Sequence, residues 1–247
     1  MVGDEHALSF GRYASSYAES RPEWPAPTAA WLVGDDVDPV PKRVLDLGAG
    51  TGKLSETLVS LGHSVLAIDP SADMLAELAR RLPEVETRAG SAEQIPVGGG
   101  EFDCVAVAQA WHWFEPTKAA TECARVLKPG GLLGIAWHRR DESVQWIARL
   151  NEIVGRMESV AKYPRAFGVD LPAPFGPVEQ KVFSYDLSTT PSGLRALADT
   201  WSYVRLAPDR QAKLEAVADL ARSAAEPDGR LFVPHETRCF RSRRELS

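Results

Sequence analysis

Val44-Leu45-Asp46-Leu47-Gly48-Ala49-Gly50-Thr51-Gly52-Lys53-Leu54 decides how the rest of the chain is read. An apolar run ends in an acid, and a glycine-rich turn then opens onto a helix. This is the form of a nucleotide-type loop at the C-terminal end of a buried strand. Gly48, Gly50 and Gly52 let the backbone approach a ligand where a Cβ would clash. Asp46 narrows the ligand further. A pyrophosphate gains nothing from a carboxylate two residues before the first glycine, whereas a ligand with an ammonium group gains a charge-assisted hydrogen bond. The alternative is a structural turn in which Asp46 caps the following helix.

A second mark lies one βαβ unit later. Ser64-Val65-Leu66-Ala67-Ile68-Asp69 reads as a short buried strand ending in an acid. Asp69 stands about twenty residues past the glycines, where a carboxylate can take two ribose hydroxyls. Its competing reading is a second helix-capping acid. Pro70-Ser71-Ala72-Asp73-Met74-Leu75 opens a helix, with Ser71 as its N-cap.

VLDLGAGTGKL from Val44 and AIDPSADML from Ala67 together resemble the first motif and the following acidic motif of class I S-adenosylmethionine (SAM)-dependent methyltransferases. Arg88-Ala89-Gly90-Ser91-Ala92-Glu93-Gln94-Ile95-Pro96 is similar to the next family segment, whose first polar residue meets the adenine amino group. Many members carry Asp where this chain has Ser91. Glu101 through Phe114 resembles the fourth strand and the catalytic edge of that fold. Its Gln109-Ala110-Trp111-His112-Trp113-Phe114 ending is similar to the small-molecule subgroup, methyltransferase type 11 or trans-aconitate methyltransferase-like. Leu127-Lys128-Pro129-Gly130-Gly131-Leu132-Leu133 resembles the turn before strand five. The resemblance implies a Rossmann-like α/β fold: a seven-stranded, mostly parallel sheet with an antiparallel last strand, helices on both faces and a helical cap. It implies SAM as cofactor, S-adenosylhomocysteine as product, and no metal. It places Asp46, Gly48, Ala49, Gly50, Thr51, Gly52, Asp69, Pro70, Met74, Ser91, Ala92, Glu93 and Gln109 around the cofactor.

Composition bounds the partners. The chain has 247 residues, 44% apolar and 25% charged, as in a globular protein of one domain with an insertion. A net charge of −6 and a pI near 5.5 argue against a nucleic-acid backbone as partner. The basic cluster Arg238, Arg241, Arg243 and Arg244 reads as a solvated strand end and tail. Cys104, Cys123 and Cys239 show no zinc spacing, and Cys104 reads as a small core residue. The N-terminus lacks the basic and apolar regions of a secretion signal, and no apolar run reaches a membrane span. A cytoplasmic location with no membrane partner is the default expectation; oligomeric state is left open.

Strands are expected near 43–47, 64–69, 84–89, 102–108 and 131–138, with helices near 52–61, 71–82 and 115–126, an alternation that predicts a parallel sheet with right-handed crossovers. After residue 140 the pattern changes. A helical period over 144–154 leads into a proline-rich loop, then a strand near 178–186. Helices follow from Thr190 to about 204 and over 209–223, with a last strand over 231–241. The expected organisation is one domain, 1–247, with lid helices at 1–34 and cap segments at 141–177 and 190–228.

Methyl transfer from a sulfonium is an in-line displacement, so alignment and exclusion of water are central. Trp111, Trp113 and Phe114 follow strand four at the edge where ligands bind in open α/β sheets, and aromatic faces suit a cation. Packing alone is the competing reading for these rings. His112 suits three roles: general base, hydrogen-bond donor to a substrate carboxylate, or structural histidine. Tyr13, Tyr17 and Arg21 resemble the family's lid over SAM, and a surface helix with an aromatic stripe is the alternative. His138 ends strand five on the same edge and is a candidate substrate ligand, while Arg139 and Arg140 read as solvated charges. The expected function is methylation of a small-molecule acceptor, at a carboxylate or hydroxyl oxygen first and at nitrogen or carbon next. A NAD(P)-dependent oxidoreductase is the weaker enzyme reading, because Asp46 and the GxGxG spacing disfavour it. A non-catalytic SAM-binding regulator is the reading from another class.

Overall fold

Parallel strands that are buried on both faces need near-continuous apolar runs, and this chain supplies three of them. In the computed structural model, which describes residues 24–155 and 169–245, these runs form the centre of a seven-stranded sheet. They are β1 (Arg43–Leu47), β2 (Ser64–Asp69) and β4 (Phe102–Ala108). The strand order is β3-β2-β1-β4-β5-β7-β6, with β3 at Glu86–Ala89, β5 at Leu127–Arg140, β6 at Glu179–Thr189 and β7 at Leu231–Arg243. Neighbouring strands from β3 to β5 run parallel, whereas β7 is antiparallel to both β5 and β6. The expected architecture, including the antiparallel last strand, is therefore the one observed.

Helices cover both faces. On one side α1 (Ala26–Leu32), α2 (Lys53–Ser60) and α3 (Ala72–Arg81) bury Leu32, Leu54, Leu58 and Leu78 against Val44, Cys104 and Ala136. On the other, α4 (Pro116–Val126) buries Ala120 and Cys123 against Val105, Leu133 and Ile135. Local chemistry sets the helix starts. Ser71 accepts from the Met74 amide at 3.4 Å, as its N-cap reading required. Glu115 accepts from the Thr117 and Lys118 amides, and Pro116 occupies the first turn of α4. Gly134 lets α1 lie close to β5: a Cβ there would stand 2.7 Å from the Leu32 carbonyl oxygen.

A third apolar cluster belongs to the cap. It joins α5 (Gln145–Val154), α6 (Pro191–Asp199), α7 (Ser202–Arg205) and α8 (Arg210–Ala224) to Leu231 and Val233 of β7.

Several expectations are corrected. Strand five begins at Leu127 rather than 131, because Leu127 already pairs with Phe102 of β4, ahead of a register shift at the Gly130-Gly131 turn, and the Arg244 side chain holds its carbonyl. Strand six reaches Thr189, carried by its pairing with β7. The helix expected from Thr190 to about 204 is two helices, α6 and α7, broken at Thr200 and Trp201. Arg241 is not a solvated tail residue. It is 6% exposed, donates to the Trp31 carbonyl, Asp36 and Glu179, and lies 4.3 Å over the Trp31 ring. The C-terminal strand thus clamps α1 to the sheet. The lid residues Tyr13, Tyr17 and Arg21 lie outside the described residues.

Candidate active site and cofactor cradle

The glycine loop turns back on itself directly above β1. Gly48, Gly50 and Gly52 all have positive φ (75°, 55° and 81°), which L side chains rarely adopt. The Gly48 and Ala49 amides bond to the Ile68 carbonyl at 2.8 and 3.0 Å, tying the loop to β2. Gly48 is also pressed from below: a Cβ would meet the Ala110 Cβ at 2.5 Å and the Phe114 ring at 3.3 Å. At Gly50 the reverse holds, since a Cβ would find nothing of the described residues within 4 Å. One glycine is required by the protein itself, and the other faces space that a ligand can fill.

Asp46 lies under this loop and is fully buried. The Ser55 hydroxyl donates to its Oδ2 at 2.6 Å, while Oδ1 is buried with no partner among the described residues. Burial pushes this carboxyl up to about 7; the Ser55 hydrogen bond opposes the shift and the nearby Asp69 charge adds to it. The Thr51 hydroxyl is another buried group with no partner among the described residues. Buried polar atoms are nearly always hydrogen-bonded, so two orphans in one loop point to a polar ligand. Asp69 brackets the cradle from β2. Its Oδ2 accepts from the Gly50 amide at 2.9 Å and its Oδ1 from the Ser71 amide at 2.8 Å. Both oxygens keep further acceptor capacity. Burial raises this carboxyl too, against those two amides. Asp69 thus links the glycine loop to the residue that caps α3.

Farther along, Met74 is buried beneath the loop side of α3, and Pro70 is exposed beside it. Ala92 sits in the core, and Glu93 accepts from the Glu115 amide at 2.9 Å, joining the segment after β3 to the start of α4. Ser91 lines an open groove of about 780 Å³ with Arg88, Gln94, Glu122 and Arg125; the glycine loop does not contribute to it. Gln109 has φ 59°, alone among described non-glycine residues in that region, a backbone strain that structures keep where it serves a site. Its amide donates to Ala136 O at 2.9 Å and its side chain to His138 O at 3.0 Å. The Gln109 side chain therefore ties β4 to β5.

A methyltransferase domain family matches residues 45–135. An uncharacterised methyltransferase of Mycobacterium tuberculosis is 39% identical over 240 residues, covering 96% of each chain. The chain belongs to the class I SAM-dependent methyltransferases. A methyltransferase-like protein of Schizosaccharomyces pombe is 30% identical over 249 residues, again covering 96% of each. A solved structure assigned as a type II methyltransferase from Anaeromyxobacter dehalogenans shares the fold, with a TM-score of 0.71, 24% identity and coverage of 92% of this chain and 99% of that one.

At the catalytic edge of this methyltransferase, Trp111–Trp113 form a single 3-10 turn after β4. Trp111 is a core side chain, 5% exposed and edge-on to Phe114 at 5.8 Å. It shapes the turn and has no open face to offer a ligand. Trp113 is half-buried beside His112. Phe114 closes on Gly48, which places this ring, rather than Trp111, against the cofactor loop. The Trp137 indole N–H, from β5, donates to Nδ1 of His112 at 3.3 Å. That contact sets the tautomer of the neutral ring: Nδ1 accepts, and Nε2 carries the proton. Burial lowers the His112 pKa to about 4. His138 stacks on Trp24 at 3.7 Å and meets the Thr237 hydroxyl at 2.7 Å. Arg140 is half-buried rather than solvated; it lies 4.2 Å over Trp201 and donates to the Tyr203 hydroxyl. Nothing in the sequence flagged Trp24, Trp137 or Tyr185, because their partners come from distant strands.

Proposed function

We propose that this enzyme moves the SAM methyl group onto an oxygen of a small molecule, a carboxylate first and an acidic hydroxyl next. The cofactor, when bound, supplies an electrophilic methyl on a sulfonium. The residues present fit it: the orphaned Asp46 Oδ1 can take its ammonium, Asp69 its ribose hydroxyls, and the space above Gly50 can admit its body. Gly48 and Phe114 fix the floor of the cradle, while Trp113 and the cap helices exclude water from the reacting centre. The acidic balance of the chain and the cap standing over the strand edge support a small acceptor.

The observation that carries the choice of oxygen is the Trp137–His112 hydrogen bond. It occupies the one lone pair of the neutral imidazole, so His112 is a poor proton acceptor and a good Nε2–H donor. A nucleophile that arrives already ionised needs no base, and a neutral donor can orient it. The expected test is kinetic. His112→Gln keeps a side-chain N–H and should retain turnover within a few-fold, while His112→Ala should lose about tenfold or more in kcat/KM. With a pKa near 4, His112 stays neutral across pH 6–9, so no rate step from this ring should appear there. A rate that climbs with pH through a histidine pKa, and collapses equally in His112→Gln, would restore the general-base role. Calorimetry checks the cofactor half: SAM and S-adenosylhomocysteine should bind, with NAD far weaker.

A further inference from the structure

Strand register places a second set of groups on the face that carries Asp46. In β5, β7 and β6, His138 pairs with Thr237 and Arg140 with His235, and Tyr185 pairs with His235. Paired residues in a ladder share a face. Their rings form a continuous wall. Trp24 stacks on His138, His138 meets Tyr185 edge-on at 5.2 Å, and Tyr185 stacks on His235 at 5.2 Å. Within this wall the Tyr185 hydroxyl is buried and has no hydrogen-bond partner among the described residues. Such a group is costly to bury unless a ligand satisfies it. In the same register row, with His235 of β7 between them, stands Arg140, whose guanidinium makes one hydrogen bond, to Tyr203, and no ion pair among the described residues. Five N–H donors and a planar fork leave it free to grip a carboxylate. A cation over an indole, a spare phenol and a wall of rings have the chemistry of a site for a flat molecule with one negative group.

The distance to the cofactor cradle fixes what this site can do. Asp46 is level with Ala106 and Gly134, and Arg140 lies six residues beyond Gly134. That is roughly 20 Å along the strands and about 10 Å across them. An anion held at Arg140 is therefore too far away to be the oxygen that is methylated. We propose that Arg140 and Tyr185 bind the remote acidic end of an elongated acceptor, an aromatic carboxylic acid, whose other end reaches the cofactor past His138. This rests on the methyltransferase reading above.

The test uses the full chain loaded with S-adenosylhomocysteine, and benzoate as the probe of the remote subsite, beside benzamide and phenyl phosphate. Saturation-transfer NMR and titration should show benzoate binding, with benzamide at least tenfold weaker. Tyr185→Phe removes one hydroxyl and leaves the ring stack in place. It should weaken benzoate about three- to tenfold, with S-adenosylhomocysteine affinity unchanged and the melting temperature unchanged or higher. Arg140→Met should weaken benzoate more than tenfold. Benzamide binding as well as benzoate, or unchanged benzoate affinity in Tyr185→Phe and Arg140→Met, would overturn the proposal. Preference for phenyl phosphate over benzoate would overturn the carboxylate assignment. A chain that fails to bind S-adenosylhomocysteine at all would instead sink the underlying cofactor reading, so the two failures are distinct.

Discussion

Asp46→Asn should separate cofactor binding from stability and move them in opposite directions. The native carboxyl is fully buried, has one orphaned oxygen and is raised to about 7. Asparagine keeps an acceptor for the Ser55 hydroxyl and removes the charge. Losing a charge-assisted hydrogen bond to the cofactor ammonium costs about 1.5–3 kcal/mol, so SAM should bind roughly tenfold to a hundredfold more weakly. In the free protein the sign reverses. A carboxyl whose folded pKa exceeds its unfolded value of 3.8 ionises more readily when unfolded, so its contribution to stability falls as pH rises from about 4 to about 7. The asparagine variant escapes that loss, less the cost of its own unpaired N–H. At pH 8 the net gain should be on the order of 1–2 kcal/mol, or roughly 3–6 °C in melting temperature. At pH 4 the gain should vanish. SAM affinity of the wild type should also fall as pH drops below about 7, and that dependence should be absent from Asp46→Asn. Unchanged SAM affinity in the variant would remove Asp46 from the cofactor site.

Two alanines in the glycine loop should behave as opposites. Gly48→Ala puts a Cβ within 2.5 Å of the Ala110 Cβ, at a φ of 75°. Strain and overpacking together cost roughly 2–4 kcal/mol, so its melting temperature should fall by about 5–10 °C even without ligand. Because Ala110 begins the Trp111–Trp113 turn, turnover should drop with it. Gly50→Ala meets nothing of the described residues within 4 Å and bears only the strain of φ 55°, about 1 kcal/mol. Its melting temperature should change little. Its new methyl nevertheless occupies the space assigned to the cofactor, so SAM affinity should fall at least tenfold. Thermal scans with and without S-adenosylhomocysteine distinguish the two cases. If Gly50→Ala binds SAM normally, the cofactor does not lie over that glycine.

The sheet was legible in the sequence because its signals are local. Buried parallel strands must be near-continuous apolar runs, as 65–68 and 104–107 are and as 44–47 is apart from Asp46. Chain reversals needed glycine at Gly48, Gly50 and Gly52, and helix starts needed caps, as at Ser71. A motif of that kind fixes its own geometry within about ten residues, and so the loop, the acid beneath it and the acid at the end of β2 could all be placed before any contact was known. Boundaries failed where pairing overrode local preference: β5 and β6 grew longer because β7 supplied partners for their backbone amides and carbonyls.

The sequence by itself thus determined the fold class and the place of the glycine loop with its two acids, both carried by short-range patterns of burial, turn and charge. Tertiary structure alone decided what the catalytic edge can do. The tautomer of His112 depends on Trp137, 25 residues away on the next strand. His138 and Thr237 are 99 residues apart, and Arg241 reaches Trp31 across 210. Protonation, desolvation and ring contact depend on which side chains the sheet order brings together. That order, β5-β7-β6, is set by antiparallel pairing between strands far apart in the chain, so no stretch of sequence could reveal Arg140 as half-buried or Tyr185 as an orphan.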